Sequence, residues 1–248
     1  MLTQPDAPKR KFLSLLGLVV VLAATLVACS PENPTEPVLA IVHATLIDGT
    51  GAPAAKHRSV IVRGVRIEAV GPSETVEIPQ AAGVIDASDR FLIPELWDAH
   101  VHTEARSSNL DLYLANGVTS LRDMGCDPGC TAQLLERQRQ FVSGSIRGPR
   151  ILVAGPNVDG TSPFARYAGH VHVTADTARE TVCALAEAGS QLIKVRDWLT
   201  RDEYFAVVEA ARDLGLPVDG HIPVSVSARE CADAGQRTVE HGGSAGNP

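Results

Sequence analysis

Phe91-Leu92-Ile93-Pro94-Glu95-Leu96-Trp97-Asp98-Ala99-His100-Val101-His102 is the stretch from which the rest of this chain is read. It is a largely apolar run that ends in two histidines one residue apart. On a β-strand successive side chains point to opposite faces, so His100 and His102 share one side and Val101 takes the other. Two imidazoles on one face, at the end of a strand, supply half of a metal site. A lone His-x-His is weak evidence because short motifs match by chance. The weight therefore falls on what surrounds it.

The chain has 248 residues, of which 44% are hydrophobic and 21% charged, with a formal net charge of −7. That length suits one large domain or two small ones. The acidic balance and the lack of a basic stripe argue against a nucleic-acid partner. Aromatic residues are only 4%, which fits an Ala/Val/Leu/Gly-rich α/β protein rather than a stacking surface.

Upstream, Lys9, Arg10 and Lys11 precede an almost unbroken apolar run from Phe12 to Ala28. A run this short, with a small residue before its end, reads as a signal peptide over residues 1–29 rather than a spanning helix. Leu26-Val27-Ala28-Cys29 resembles a bacterial lipobox. That implies cleavage before Cys29, lipidation of Cys29, and a mature chain held by its lipid on the periplasmic or cell-surface side of a membrane. The other reading is an uncleaved N-terminal anchor, and both export the mature chain. Residues 30–37 (Ser-Pro-Glu-Asn-Pro-Thr-Glu-Pro) lack apolar periodicity and read as a tether. Cys126 and Cys130 flank the turn sequence Asp127-Pro128-Gly129. An oxidising compartment allows a small-loop disulfide there without fixing it, and no second cysteine pair favours a metal instead. Cys183 and Cys231 sit among alanines in helical patterns and read as small buried residues.

Residues 38–92 contain short β-type runs, punctuated by Asp48-Gly49-Thr50-Gly51, Arg63-Gly64 and Gly71-Pro72. They predict a small β-sandwich. From residue 93 to 248 the pattern changes. Helical segments end at Gly117, Gly189, Gly215 and Gly235, each followed at once by a strand-like run, as a C-terminal glycine cap predicts. A fifth unit pairs the helical Thr131–Val142 with Ile151–Ala154. Thr200 and Glu203 have the spacing of a capping box. Repeated βα units imply a parallel sheet with right-handed crossovers. The fold class predicted is α/β: a (β/α)8-type TIM barrel, incomplete at about six βα units, behind the small β-sandwich.

The polar residues of interest fall at strand ends. His100 and His102 end one strand. Lys194 lies in Gln191-Leu192-Ile193-Lys194-Val195, His221 follows Pro217-Val218-Asp219-Gly220, and His241 follows Arg237-Thr238-Val239-Glu240. Taken singly, a buried lysine is most often snorkelling or paired, and a strand-end histidine most often a structural hydrogen-bonder. One such set per strand, in order, matches the way barrels assemble an active site from several strand ends.

The motifs Asp98-Ala99-His100-Val101-His102, Leu192-Ile193-Lys194-Val195, Gly220-His221 and Glu240-His241-Gly242 resemble the metal-dependent amidohydrolase superfamily. The similarity is to the branch with imidazolonepropionase-like and prolidase-like enzymes, and it covers nearly all of the chain after the tether. The resemblance implies that His100 and His102 bind one divalent metal, that a carboxylated Lys194 bridges to a second, and that His221 and His241 complete the pair. It also implies hydrolysis of a C–N bond in a small amide, dipeptide or cyclic amide by a metal-activated water. Neutral imidazoles favour zinc, as one ion or two. Lysine can join only as a neutral amine, and burial depresses its pKa. A metal pair about 3.5–4 Å apart polarises a carbonyl and acidifies a bridging water.

His170 and His172, in Tyr167-Ala168-Gly169-His170-Val171-His172, repeat the His-x-His spacing in what reads as a loop after the third strand. His170 is a candidate to touch substrate or a developing oxyanion, the other reading being a solvated loop histidine. Arg122-Asp123 either forms a structural ion pair or lines the pocket. Two departures stand out. Glu95 follows Pro94 where the family usually has glycine. The chain also ends at Pro248, after the sixth strand, without the family's strand-eight aspartate. Two readings follow: a truncated copy of an exported metallohydrolase, or an inactive lipoprotein with a partial barrel and residual metal binding. Weak or no hydrolysis by these 248 residues is the expectation. Oligomeric state is not encoded, although open sheet edges favour self-association.

Overall fold

The computed structural model describes residues 36–103, 110–161 and 170–242. Residues 1–29, read above as a signal peptide with Cys29, most of residues 30–37, and Tyr167–Gly169 lie outside these residues. The chain divides into two units between Pro94 and Glu95.

In the first unit the punctuated apolar runs become β1 (Val38–Leu46), β2 (Ala55–Arg63), β3 (Arg66–Pro72), β4 (Gly83–Asp86) and β5 (Phe91–Leu92). β1 and β2 pair antiparallel, as do β2 and β3, whereas β4 and β5 both run parallel to β1. Alternation along β1 buries Ala40 and Val42, which pack with Ile61 of β2. The expected β-sandwich is corrected here. The described strands form one mixed sheet, ordered β3-β2-β1-β4 with β5 also on β1. Period-two alternation marks which residues share a face but does not specify which strands join edge to edge.

The second unit alternates strand and helix. Its strands are β6 (Leu96–Val101), β7 (Val118–Asp123), β8 (Arg150–Val153), β9 (Asn157–Asp159), β10 (His170–His172), β11 (Ile193–Val195), β12 (Val218–Gly220) and β13 (Thr238–Val239). Its helices are α1 (Leu110–Ala115), α2 (Pro128–Val142), α3 (Ala178–Glu187), α4 (Arg201–Asp213) and α5 (Ala228–Asp233). Every strand pairing is parallel, as βα repetition requires. The four glycines predicted to end helices all take positive φ. Thr200 and Glu203 form the expected capping box at α4, and Ser227 with Glu230 forms another at α5.

Among the described residues the strands form two sheets, β6-β7-β8 and β10-β9-β11-β12-β13, rather than one closed barrel. The division falls at Ala154-Gly155-Pro156, between β8 and β9. Gly155 has φ +76° and proline carries no N–H, so a ladder cannot run through this point. Gln191 spans the gap, donating its backbone N–H to the Val153 carbonyl at 2.8 Å and accepting from Val153 N–H through Oε1 at 2.9 Å. The larger sheet packs Ile193, Val195 and Val218 against Tyr204, Val207 and Ala211 of α4. The smaller packs Leu121, Ile151 and Val153 against Leu134 of α2. Burying each such side chain contributes about 1.5–3 kcal/mol, which fixes the strands whose ends carry the polar residues. No helix among the described residues is long and apolar enough to cross a membrane.

Candidate metal centre

β6 delivers the His-x-His pair. The His100 Nε2 and His102 Nε2 atoms lie 3.3 Å apart. Their other nitrogens are each held by an acceptor. His100 Nδ1 lies 2.6 Å from Glu240 Oε2, and His102 Nδ1 lies 2.9 Å from the Gly125 carbonyl oxygen. A carbonyl or carboxylate oxygen only accepts, so each neutral ring carries its proton on Nδ1 and presents a lone pair at Nε2. Two lone pairs facing each other cannot bond to one another, but a cation satisfies both. Zinc–nitrogen bonds of about 2.0–2.1 Å in a tetrahedron set the ligands about 3.3–3.4 Å apart, which matches the spacing of this pair.

The Gly125 carbonyl is itself fixed. Gly125 has φ +129°, and a Cβ there would run into the Asn157 side-chain amide, so a larger residue is strained at this point. Asp123, fully buried at the end of β7, accepts from Gly125 N–H at 3.0 Å and from the Thr103 N–H at 2.6 Å. It thus grips the residue after His102 and the residue that holds the His102 ring. The Cys126–Cys130 disulfide left open by the sequence is formed in the structure, and Cys130 Sγ lies 3.4 Å from the Thr103 carbonyl oxygen.

Other strand ends bring three more groups. His241 follows β13 with φ +61°, and its ring centroid lies 4.4 Å from His100 and 5.4 Å from His221. His221 sets Nδ1 2.8 Å from Asp197 Oδ1, while its Nε2 is buried with no hydrogen-bond partner. Burial holds the His221 imidazole below its ordinary pKa, against the opposing pull of Asp197. Burial likewise lowers His100, with Glu240 opposing and Lys194 adding to the shift. Both shifts favour the neutral ring, the form that ligates metals.

Lys194 in β11 is fully buried, and Nζ has no hydrogen-bond partner. Burial holds its pKa down to about 8, partly offset by Glu240 and reinforced by Arg196 and Arg122. Its positive charge opposes protonation of His100 and His221 and favours the carboxylate of Glu240. The convergence has a limit. Among the described residues, no three histidine, cysteine or carboxylate side chains meet closely enough to grip one ion together. The donor chemistry nonetheless suits a divalent cation: paired Nε2 atoms at ligand spacing, and a buried imidazole nitrogen and amine without partners.

His170 is corrected from loop to strand. His170-Val171-His172 is β10, parallel to β9. The His170 side chain is buried, with Nδ1 3.4 Å from Asp159 Oδ2 and Nε2 3.4 Å from Asn157 Nδ2. Burial and the Arg196 charge lower its pKa, with Asp159 opposing. Arg122, ambiguous in the sequence, is buried in an ion-pair network with Asp219 and Glu240. Asp197 and Glu240 are site residues to which the sequence assigned no role. The available signal was spacing, since Thr238 and Glu240 follow the same alternation that groups His100 with His102.

No family model matches the chain. The adenine deaminase of Mesorhizobium japonicum is 28% identical over 184 residues, which cover 66% of this chain and 30% of that protein. Among solved structures, a protein assigned as a prolidase from Bifidobacterium longum is 26% identical with a TM-score of 0.64, covering 76% of this chain and 50% of its own. Phenylurea hydrolase B is 22% identical with a TM-score of 0.68, covering 84% and 60%. The chain spans less than two thirds of the length of each. It shares the fold of amidohydrolase-superfamily hydrolases.

Proposed function

We propose that this chain is the metal-binding portion of a metal-dependent amidohydrolase that cleaves a C–N bond in a small amide, dipeptide or cyclic amide. The observation that carries the reading is the His100–His102 pair, with Nε2 atoms 3.3 Å apart and both Nδ1 atoms engaged by acceptors. The three proteins compared above support the reaction class, because the names adenine deaminase, prolidase and phenylurea hydrolase each denote hydrolysis at a carbon–nitrogen bond.

In this reading His100 and His102 hold one divalent ion, with zinc favoured, and His221 and His241 hold the second. Ions held there would supply polarisation of the scissile carbonyl and a water of lowered pKa. Lys194, as a carbamate, would add an anionic oxygen ligand to that set. Its neutral amine forms an N–C bond to carbon dioxide and releases one proton, which yields an anionic group with two oxygen donors. Depression of its pKa to about 8 makes the neutral amine far more populated near neutral pH than in an ordinary lysine. Asp197 and Glu240 orient His221 and His100, and Asp123 secures the segment around His102. His170, buried on Asp159 and Asn157, shapes the pocket wall from β10. Export and a lipid anchor at Cys29 rest on the sequence of residues 9–29, and the Cys126–Cys130 pairing fits an oxidising compartment.

The test is hydrolysis by the full chain, loaded with zinc, of a Xaa-Pro dipeptide, an N-aryl urea and adenine. The expected result is weak turnover of at least one, abolished by a chelator and by His100→Ala. Turnover indifferent to both overturns the assignment.

A further inference from the structure

We propose that Arg122 and Glu240 form one positioning device that fixes the His100 ring in the tautomer a cation needs. The inference deepens the metal-centre reading and rests on it.

Arg122 reaches from β7 to three other strands. Its Nε donates to the Ala99 carbonyl at 2.7 Å, on the residue before His100. Nη1 donates to Asp219 Oδ2 and to Thr238 Oγ1, each at 3.1 Å. Nη2 donates to Glu240 Oε1 at 2.7 Å. One rigid guanidinium thus locates both the backbone carrying His100 and the carboxylate that meets its ring. Glu240 Oε1 also accepts from the Thr238 hydroxyl at 2.7 Å. Only Oε2 is left to face His100 Nδ1, at 2.6 Å. Asp219, fully buried, anchors the far side of Arg122 and also accepts from Arg237.

The consequence is one of hydrogen-bond direction. Every neighbour of the Glu240 carboxylate named here donates to it, and a carboxylate accepts on both oxygens. His100 must then donate from Nδ1, which leaves the Nε2 lone pair aimed toward His102. An amide cannot reproduce this. With its oxygen toward Arg122, the amide NH2 of Glu240→Gln faces His100 Nδ1, which must accept and so moves the ring proton to Nε2. With the amide reversed, its NH2 meets the Arg122 donor, which has no acceptor to offer. Partners of this kind to metal-bound histidines typically contribute 10–100-fold in metal affinity.

The experiment measures zinc binding to the full chain against a competing chelator, wild type beside Glu240→Gln. Nitrogen-15 spectra of the histidine rings in the metal-free proteins accompany it. The expected result is a 10–100-fold weaker zinc affinity in the variant, with His100 protonated on Nδ1 in the wild type and on Nε2 in the variant. A variant that binds zinc as tightly as a zinc-binding wild type overturns this inference alone. A wild type that binds no zinc overturns the metal reading beneath it. Should Glu240→Gln fail to fold, the wild-type spectrum decides, and a proton on His100 Nε2 overturns the inference.

Discussion

Lys194→Met should make the metal-free protein more stable, by an amount that depends on pH. Lys194 is fully buried, its Nζ has no hydrogen-bond partner, and its pKa is lowered from 10.5 to about 8 by burial. Above pH 10.5 the amine is neutral whether the chain is folded or unfolded. As pH falls from 10.5 to 8, the unfolded chain takes up a proton that the folded chain refuses, so stability falls. Below pH 8 both states are protonated, and the folded state bears the full cost of a buried cation. The gap of 10.5 − 8 = 2.5 units, at about 1.36 kcal/mol per unit, amounts to about 3 kcal/mol at pH 7 and less than about 1 kcal/mol at pH 10. Methionine has similar length and adapts to irregular space, so Lys194→Met removes the cost while keeping the packing. Urea denaturation of both proteins in chelator, at pH 7 and pH 10, reads this directly. The expected outcome is a variant about 3 kcal/mol more stable at pH 7, with the difference shrinking at pH 10. A variant less stable than wild type at pH 7, or a difference that does not change with pH, refutes the reasoning. A buried amine kept at such a cost is what a working site retains and a purely structural position discards.

Three further outcomes are expected. Asp197→Ala removes the acceptor for His221 Nδ1 and should weaken zinc binding about 10-fold or more, read by chelator competition; unchanged affinity would remove His221 from the ligand set. Gly125→Ala drives a methyl group against Asn157 Oδ1 at φ +129°. It should cost about 1–3 kcal/mol from backbone strain alone and disturb the carbonyl that holds His102, seen together as a lowered Tm and weaker zinc binding. Tyr204→Phe deletes a buried hydroxyl that donates to Gln236 Oε1 at 2.9 Å and leaves that acceptor without it. A loss of about 1–3 kcal/mol in thermal or urea denaturation is expected, with zinc affinity unchanged.

Much of the second unit was legible because its signals are local. Glycines after helical turns mark helix ends, and Thr200-Arg201-Asp202-Glu203 marks a helix start whose capping box is formed. Ser227-Ala228-Arg229-Glu230 carries the same signal at the next helix. The grouping of His100 with His102 needed only the alternation of a strand. What escaped the sequence was long-range. Which β-runs of the first unit pair edge to edge is set by contacts that periodicity does not encode, so one sheet looked like a sandwich. Arg122 could not be assigned, because its carboxylate partners lie 97 and 118 positions away. His170 reads as a loop residue beside Gly169, yet pairing with β9 makes it a strand. The break at Gly155-Pro156 was visible as residues, but its effect of parting two sheets depends on neighbours such as Gln191.

The most direct test of the account is equilibrium dialysis of the full chain against zinc, followed by metal analysis, for the wild type and the double variant His100→Ala, His102→Ala. The account predicts at least one zinc per wild-type chain and the loss of at least one in the variant. A wild type without bound zinc, or equal zinc in both proteins, contradicts it.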